Sequence, residues 1–180
     1  PETIFGDTAV AVHPNNDKLN HLIGEQALIP IINRTIPIIS DNYADPDKGS
    51  GAVKITPAHD FNDFEIGKKH KLEFINIFDK KANLNDNVPQ SYKGLNRFDA
   101  RIKVIEDLKK TKKIVKIINN QMVIPVGERS NEIIEPFLTD QWFLDTKKIC
   151  IEIDRQIDEN KFRFHPNTWI NTFKHWIRNI

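Results

Sequence analysis

Two periods of apolar residues run along this chain and divide it into elements. Residues 8–13 alternate small and β-branched side chains, the period-2 pattern of a half-buried strand, and Pro14 ends it. Residues 27–32 and 34–39 are apolar runs broken by Asn33 and read as paired strands. A short run at 53–56 predicts another strand, with Lys54 and Thr56 on one face and Val53 and Ile55 on the other. Pro57 has no N–H for the ladder and stops it. The pattern then predicts helices over 61–70 and over 97–110, the second from the spacing of Phe98, Ile102, Ile105 and Leu108. A short helix is expected over 17–24, capped by Asp17 and stopped by Gly24. Strands are expected over 74–78, 114–118 and 122–126, and loops over 41–49 and 80–94. After Trp142 the pattern turns helical, over 146–157 and 168–177, with 162–164 extended between them and Asn167 a candidate cap. Strands and helices mix without regular β-α-β alternation, which argues for an α+β fold over a doubly wound parallel sheet.

The stretch at 49–64, GSGAVKITPAHDFNDF, concentrates chemistry where a strand hands over to a helix. Asp60 is placed to cap the helix beginning at Phe61, and Asp63 falls in its first turn, where it complements the helix dipole. Those structural roles are sufficient reasons for both carboxylates. The same cluster of Lys54, Thr56, Asp60 and Asp63 also suits a small ligand carrying an ammonium and a hydroxyl. His59 is a candidate general base, or a ring that anchors the turn.

Composition narrows the setting. The 180 residues suffice for one good core and an appendage, and 39% hydrophobic with 28% charged residues describe a soluble globular chain. No apolar run approaches the ~20 residues a membrane span needs. Cys150 is the lone cysteine, which excludes an internal disulfide framework and a Cys-rich zinc site, and the expected location is a reducing cytoplasm. The six histidines show no metal-ligand spacing. No phosphate loop follows Gly49-Ser50-Gly51, and Ser50 has no recognisable triad. The net charge is only +1, yet residues 101–116 carry Arg101, Lys103, Lys109, Lys110, Lys112, Lys113 and Lys116 against Glu106 and Asp107. That run reads as a solvated helix face; contact with a nucleic-acid backbone is the other reading, but no aromatics interleave.

The 49–64 stretch resembles the editing-domain signature of the valyl-tRNA synthetases, a family of class I aminoacyl-tRNA synthetases. PETIFGDTAVAVHP at 1–14 resembles the opening of that domain, and GLNRFDAR at 94–101 a later helix start. VGERS at 126–130 and IEPFLTDQWF at 134–143 resemble its closing strands, and residues 169–180 resemble the segment that re-enters the synthetic domain. The matches run in family order from end to end, and the chain opens inside a motif, as a fragment would.

The resemblance implies a compact β-barrel-like core flanked by helices, with an editing domain over 1–142 and a return segment over 143–180. It implies that Asp63 holds the α-ammonium of a misattached amino acid. Lys54 and Thr56 would read the hydroxyl of threonine, and Asp60, His59, Thr3 and Thr8 would surround the substrate. Lys48 stands where some relatives place an aromatic residue. The implied reaction is hydrolysis of the threonyl ester at the acceptor end of the valine tRNA, with threonyl-adenylate a further substrate. It needs no cofactor and no metal. The parent enzyme would ligate valine to tRNA with ATP and magnesium, a step not expected of this chain because neither nucleotide signature of the class I enzymes occurs in it. Partners would be the tRNA acceptor end and the rest of the synthetase, with no membrane. An isoleucyl or leucyl editing domain is the nearest rival reading, and a non-catalytic tRNA-docking module is a rival of another class.

Overall fold

The computed structural model describes residues 1–119 and 123–179. The chain divides into two compact units, Pro1–Leu138 and Thr139–Ile180. The first is a mixed α+β unit. Its four strands are β1 (Ala9–Val12), β2 (Gln26–Ile29), β3 (Arg34–Ser40) and β4 (Ala52–Ile55), and its helices are α1 (Phe61–His70) and α2 (Arg97–Lys110). The sheet order is β2-β3-β1-β4. β1 pairs parallel to β3, Val10 opposite Ile38, and antiparallel to β4, Ala9 opposite Ile55; β2 and β3 form an antiparallel pair with Ala27 opposite Ile36. Among the described residues the sheet is open, with β2 and β4 at its edges, and does not close into a barrel.

The β2–β3 turn is where the break at Asn33 placed it. Ile31 and Asn33 take positive φ there, of 73° and 52°. α1 begins and ends as its sequence predicts. Asp60 Oδ1 accepts from the N–H groups of Asn62 (2.8 Å) and Asp63 (3.0 Å), satisfying two orphan donors of the first turn. Lys71 closes the helix in the left-handed conformation.

Other expectations fail for visible reasons. Residues 17–24 form only a 3-10 turn at Asn20–Leu22, with no cap from Asp17. Asn16 takes the turn instead, its Oδ1 accepting the Lys18 N–H, and the segment is too short for propagation to offset nucleation. Residues 74–78 form no strand ladder. Their backbone groups go to side chains and single bridges: His59 takes the Ile77 N–H, and Asn85 and Asn87 donate to the Asn76 carbonyl. Residues 114–118 are irregular. The strand expected at 122–126 lies partly outside the described residues, and Val126 makes only an isolated bridge to Ile133.

Two buried clusters support the site. Phe5, Ile77, Phe78, Leu84, Tyr92, Ala100 and Val104 form one, and Ala9, Ala11, Ala44, Ile55 and Ile66 the other. The handover from β4 to α1 runs between them: Ile55 belongs to the second, while His59 packs edge-on against Phe78 of the first at 4.9 Å.

The second unit contains α3 (Lys147–Asp158) and α4 (Trp169–Arg178), which pack on each other through Ile157, Ile177 and the Arg178–Asp154 ion pair at 2.8 Å. Asn167 does not cap α4; Thr168 holds the N-cap position without a side-chain bond. Trp142, Trp169 and Trp176 are exposed. No described helix is long and apolar enough to cross a membrane.

Candidate functional site

The site starts from β4. Alternation along the strand puts Lys54 on the face that Thr56 shares one residue beyond its end, and Pro57 releases the chain toward the cap of α1. Thr56 is 2% exposed, and its N–H donates to Asp63 Oδ2 at 2.8 Å. Asp63 therefore sits in the first turn of α1 but bends back onto the strand end. These residues, with Thr3, Tyr43, Val53, His59 and Asp60, line a cavity of about 280 Å³. Six of the seven residues read from the sequence thus meet around one space.

Thr8 does not join them. Its N–H bonds the Ile55 carbonyl at 2.9 Å, and its buried hydroxyl has no hydrogen-bond partner among the described residues. Lys48 is not in the lining either; it pairs with Asp45 at 3.4 Å, and the aromatic wall is Tyr43. Tyr43 is placed through Asp41. Its N–H donates to Asp41 Oδ1, and Asp41 is gripped by Lys69 (2.7 Å) and His70 (2.8 Å) from the end of α1.

Asp7, which the sequence did not single out, lies directly behind the cavity residues Lys54 and Thr56. It is 3% exposed, and its Oδ1 accepts from Lys54 Nζ at 2.8 Å and from the Thr56 hydroxyl at 2.6 Å. Lys54 also donates to Thr3 Oγ1 at 3.0 Å and to Thr56 Oγ1. Arg34, at the start of β3, holds the Asp7 backbone by donating to the carbonyls of Phe5 and Asp7. Gly6 makes the approach possible: a Cβ there would lie 3.0 Å from the Ile75 carbonyl, 3.2 Å from Thr56 Cγ2 and 3.4 Å from His59 Cδ2. The only sequence signal for Asp7 was its place in the 1–14 motif.

Burial sets the electrostatics. It raises Asp63 to about 6; the Thr56 N–H opposes this, while the charge of Asp60 adds to it. Burial also raises Asp7, against the pull of Lys54. The same desolvation lowers His59 to about 4, so its ring is neutral near pH 7. His59 Nε2 accepts the Ile77 N–H at 3.0 Å, which places the ring proton on Nδ1 and ties the ring down as a turn anchor. A cavity lined by a perturbed carboxylate and, beside it, an oriented hydroxyl fits a small ligand with an ammonium and a hydrogen-bonding side chain. Among the described residues no three His, Cys, Asp or Glu side chains gather as a metal site would require.

The fold and cavity define an α+β domain with a small polar cavity where a strand hands over to a helix. Residues 1–121 match the family model described as "Leucyl-tRNA synthetase, editing domain", and the chain belongs to that family of aminoacyl-tRNA synthetase editing domains. Over all 180 residues it is 49% identical to a valine–tRNA ligase of Pelagibacter ubique, 48% to one of Legionella pneumophila and 47% to one of Caulobacter vibrioides. It covers 21%, 20% and 20% of those proteins, so it spans about a fifth of the relatives' length. The valyl-type resemblance read from the motifs is borne out.

Proposed function

We propose that this chain is the editing domain of a valyl-tRNA synthetase and hydrolyses the ester of threonine misattached to the valine tRNA. The observation that carries the reading is the cavity that unites Asp63 with Lys54, Thr56 and Thr3. A carboxylate gives a strong charge-assisted hydrogen bond to an α-ammonium. The hydroxyls that share the cavity with it would find partners on threonine and none on valine, and unmet buried groups are costly. The need is physical: a hydrophobic synthetic pocket rejects an isostere bearing one extra hydroxyl poorly, and valine enzymes facing threonine are the usual illustration.

The mechanism is positioning. Asp63 fixes the ammonium, the threonine hydroxyl docks among Thr56, Thr3 and Lys54, and Asp60 and His59 complete the wall. The ester carbonyl is then held for attack by water, with no cofactor or metal; ATP and magnesium belong to the parent's ligation step. His59 does not act as the base, since Nε2 is already engaged and the ring is poorly basic. The terminal ribose hydroxyl of the tRNA is the remaining candidate to assist the water. The editing domain is assigned to 1–142 and the return segment to 143–180. The tRNA acceptor end, threonyl-adenylate and the rest of the synthetase are the partners, in the cytoplasm.

The test is release of amino acid from preformed threonyl-tRNA and valyl-tRNA by the parent synthetase carrying this domain. Fast release of threonine and little release of valine are the expected result. A domain that binds the acceptor end but releases neither would be a docking module, and the hydrolytic reading would be wrong.

A further inference from the structure

A buried network of hydrogen bonds behind the cavity sets the direction of the Thr56 hydroxyl. An ammonium has three donors, and those of Lys54 reach Asp7 Oδ1, Thr3 Oγ1 and Thr56 Oγ1. Asp7 Oδ1 also lies 2.6 Å from Thr56 Oγ1. A carboxylate only accepts, so the proton between those oxygens is the Thr56 hydroxyl hydrogen. Thr56 Oγ1 thus donates to Asp7, accepts from Lys54, and has one lone pair left. Thr3 Oγ1 accepts from Lys54 and keeps its own hydrogen to give.

We propose that Asp7 is a positioning residue that turns Thr56 into an obligate acceptor toward the cavity, so that the site selects a ligand hydroxyl by the hydrogen it donates. Asp7 is buried and does not line the cavity; it acts through Thr56 and Lys54. The inference rests on the proposed function, in which the ligand is a threonyl ester. A valyl ligand puts a methyl group against the Thr56 lone pair. A ligand with fluorine in place of the hydroxyl has the right shape but no hydrogen to donate.

The experiment measures binding of three adenosine 3′-amides to the whole chain by calorimetry. They carry threonine, valine, or the 3-fluoro analogue of threonine. The unmutated chain is expected to prefer the threonyl amide over the valyl amide by roughly fivefold to tenfold. The fluoro amide is expected to bind like the valyl one. Asp7→Ala should cut the preference to twofold or less, and Asp7→Asn, which retains an acceptor oxygen, should restore part of it. In a Thr56→Val background Asp7→Ala should leave the ratio unchanged, because the two act as one unit. A merely structural role would lower the melting temperature and weaken all three ligands alike. If the unmutated chain shows no threonyl preference, the proposed function and this inference fall together. If it shows one, but the fluoro amide binds as tightly as the threonyl amide or folded Asp7→Ala keeps the ratio, only the role of Asp7 falls. The fluoro comparison uses the unmutated chain, so it decides the polarity even where Asp7→Ala does not fold.

Discussion

Asp63 and His59 both line the cavity, and burial moves their pKa values in opposite directions, to about 6 and about 4. The consequences for stability oppose each other. Asp63 binds its proton more readily folded than unfolded, so it adds stability at low pH that is lost as pH rises from its unfolded value of 3.8 through about 6. His59 binds its proton less readily when folded, so its contribution is present above 6.5 and is lost as pH falls toward about 4. Each is worth on the order of 3 kcal/mol at the limit, and over this overlapping window they largely cancel. Asp63→Asn removes one side of the balance and keeps an oxygen for the Thr56 N–H. The variant should be more stable than wild type at pH 7, by up to about 3 kcal/mol, and should lose stability more steeply between pH 6.5 and 4. Chemical denaturation across that range checks it; a variant that tracks wild type at every pH would mean that Asp63 is not held desolvated. A carboxylate that costs stability where it sits is what a ligand site predicts and a helix cap does not. The sequence showed Lys54, Thr56 and Asp63 because strand alternation and helix-start chemistry are local. It did not show Asp7, because the separation between Asp7 and Thr56 is closed only by the β1–β4 pairing.

At the level of elements, α1 carries the site, and its packing depends on the absence of a side chain. A Cβ on Gly67 would stand 2.7 Å from Pro57 Cβ, 2.8 Å from Pro57 Cγ and 3.0 Å from Phe74 Cζ. Gly67→Ala would gain helix propensity on an exposed face, yet here it drives the helix off the proline that ends β4. The expected cost is about 1–3 kcal/mol in thermal melting, with weaker binding of a threonyl analogue because Asp63 moves with the helix. A melting temperature at or above wild type would show that α1 does not lie against Pro57. Asp60 allows its two roles to be separated: Asp60→Asn should preserve stability, since asparagine caps as well, whereas Asp60→Ala should lose about 1 kcal/mol. The bounds of α2 were legible, but its buried face was not. The spacing marked Phe98 and Ile102, which are exposed, while Ala100 and Val104 are buried. Small residues let this helix approach the core, and Phe98 lies instead beneath the guanidinium groups of Arg97 and Arg101, 4.6 and 5.7 Å from its ring centroid. The missed strand at 74–78 has a similar cause: an apolar run marks burial, and only its hydrogen-bond partners decide whether it is a ladder.

Across the whole molecule, local patterning exposed the strands and main helices but not the topology. β1 pairs parallel to β3 with β2 outside, and no adjacent pair of residues announces a parallel register. The boundary between the compact units is also a matter of packing: residues 139–146 have no regular structure, and Trp142, Phe143 and Leu144 stand exposed. Brief chymotrypsin treatment should cut first at these three residues and leave the Pro1–Leu138 unit intact, read by mass spectrometry. First cuts inside α1 or α2 would contradict that division. The central claim is that the carboxylate of Asp63 holds the substrate ammonium, and deacylation of preformed threonyl-tRNA by the parent synthetase with and without Asp63→Ala tests it most directly. Loss of one partner of a desolvated charge pair costs ~2–5 kcal/mol, so the variant should fold, ligate valine normally and release threonine at least about thirtyfold more slowly. A folded Asp63→Ala enzyme that deacylates threonyl-tRNA at the wild-type rate would remove Asp63 from the site and contradict the account.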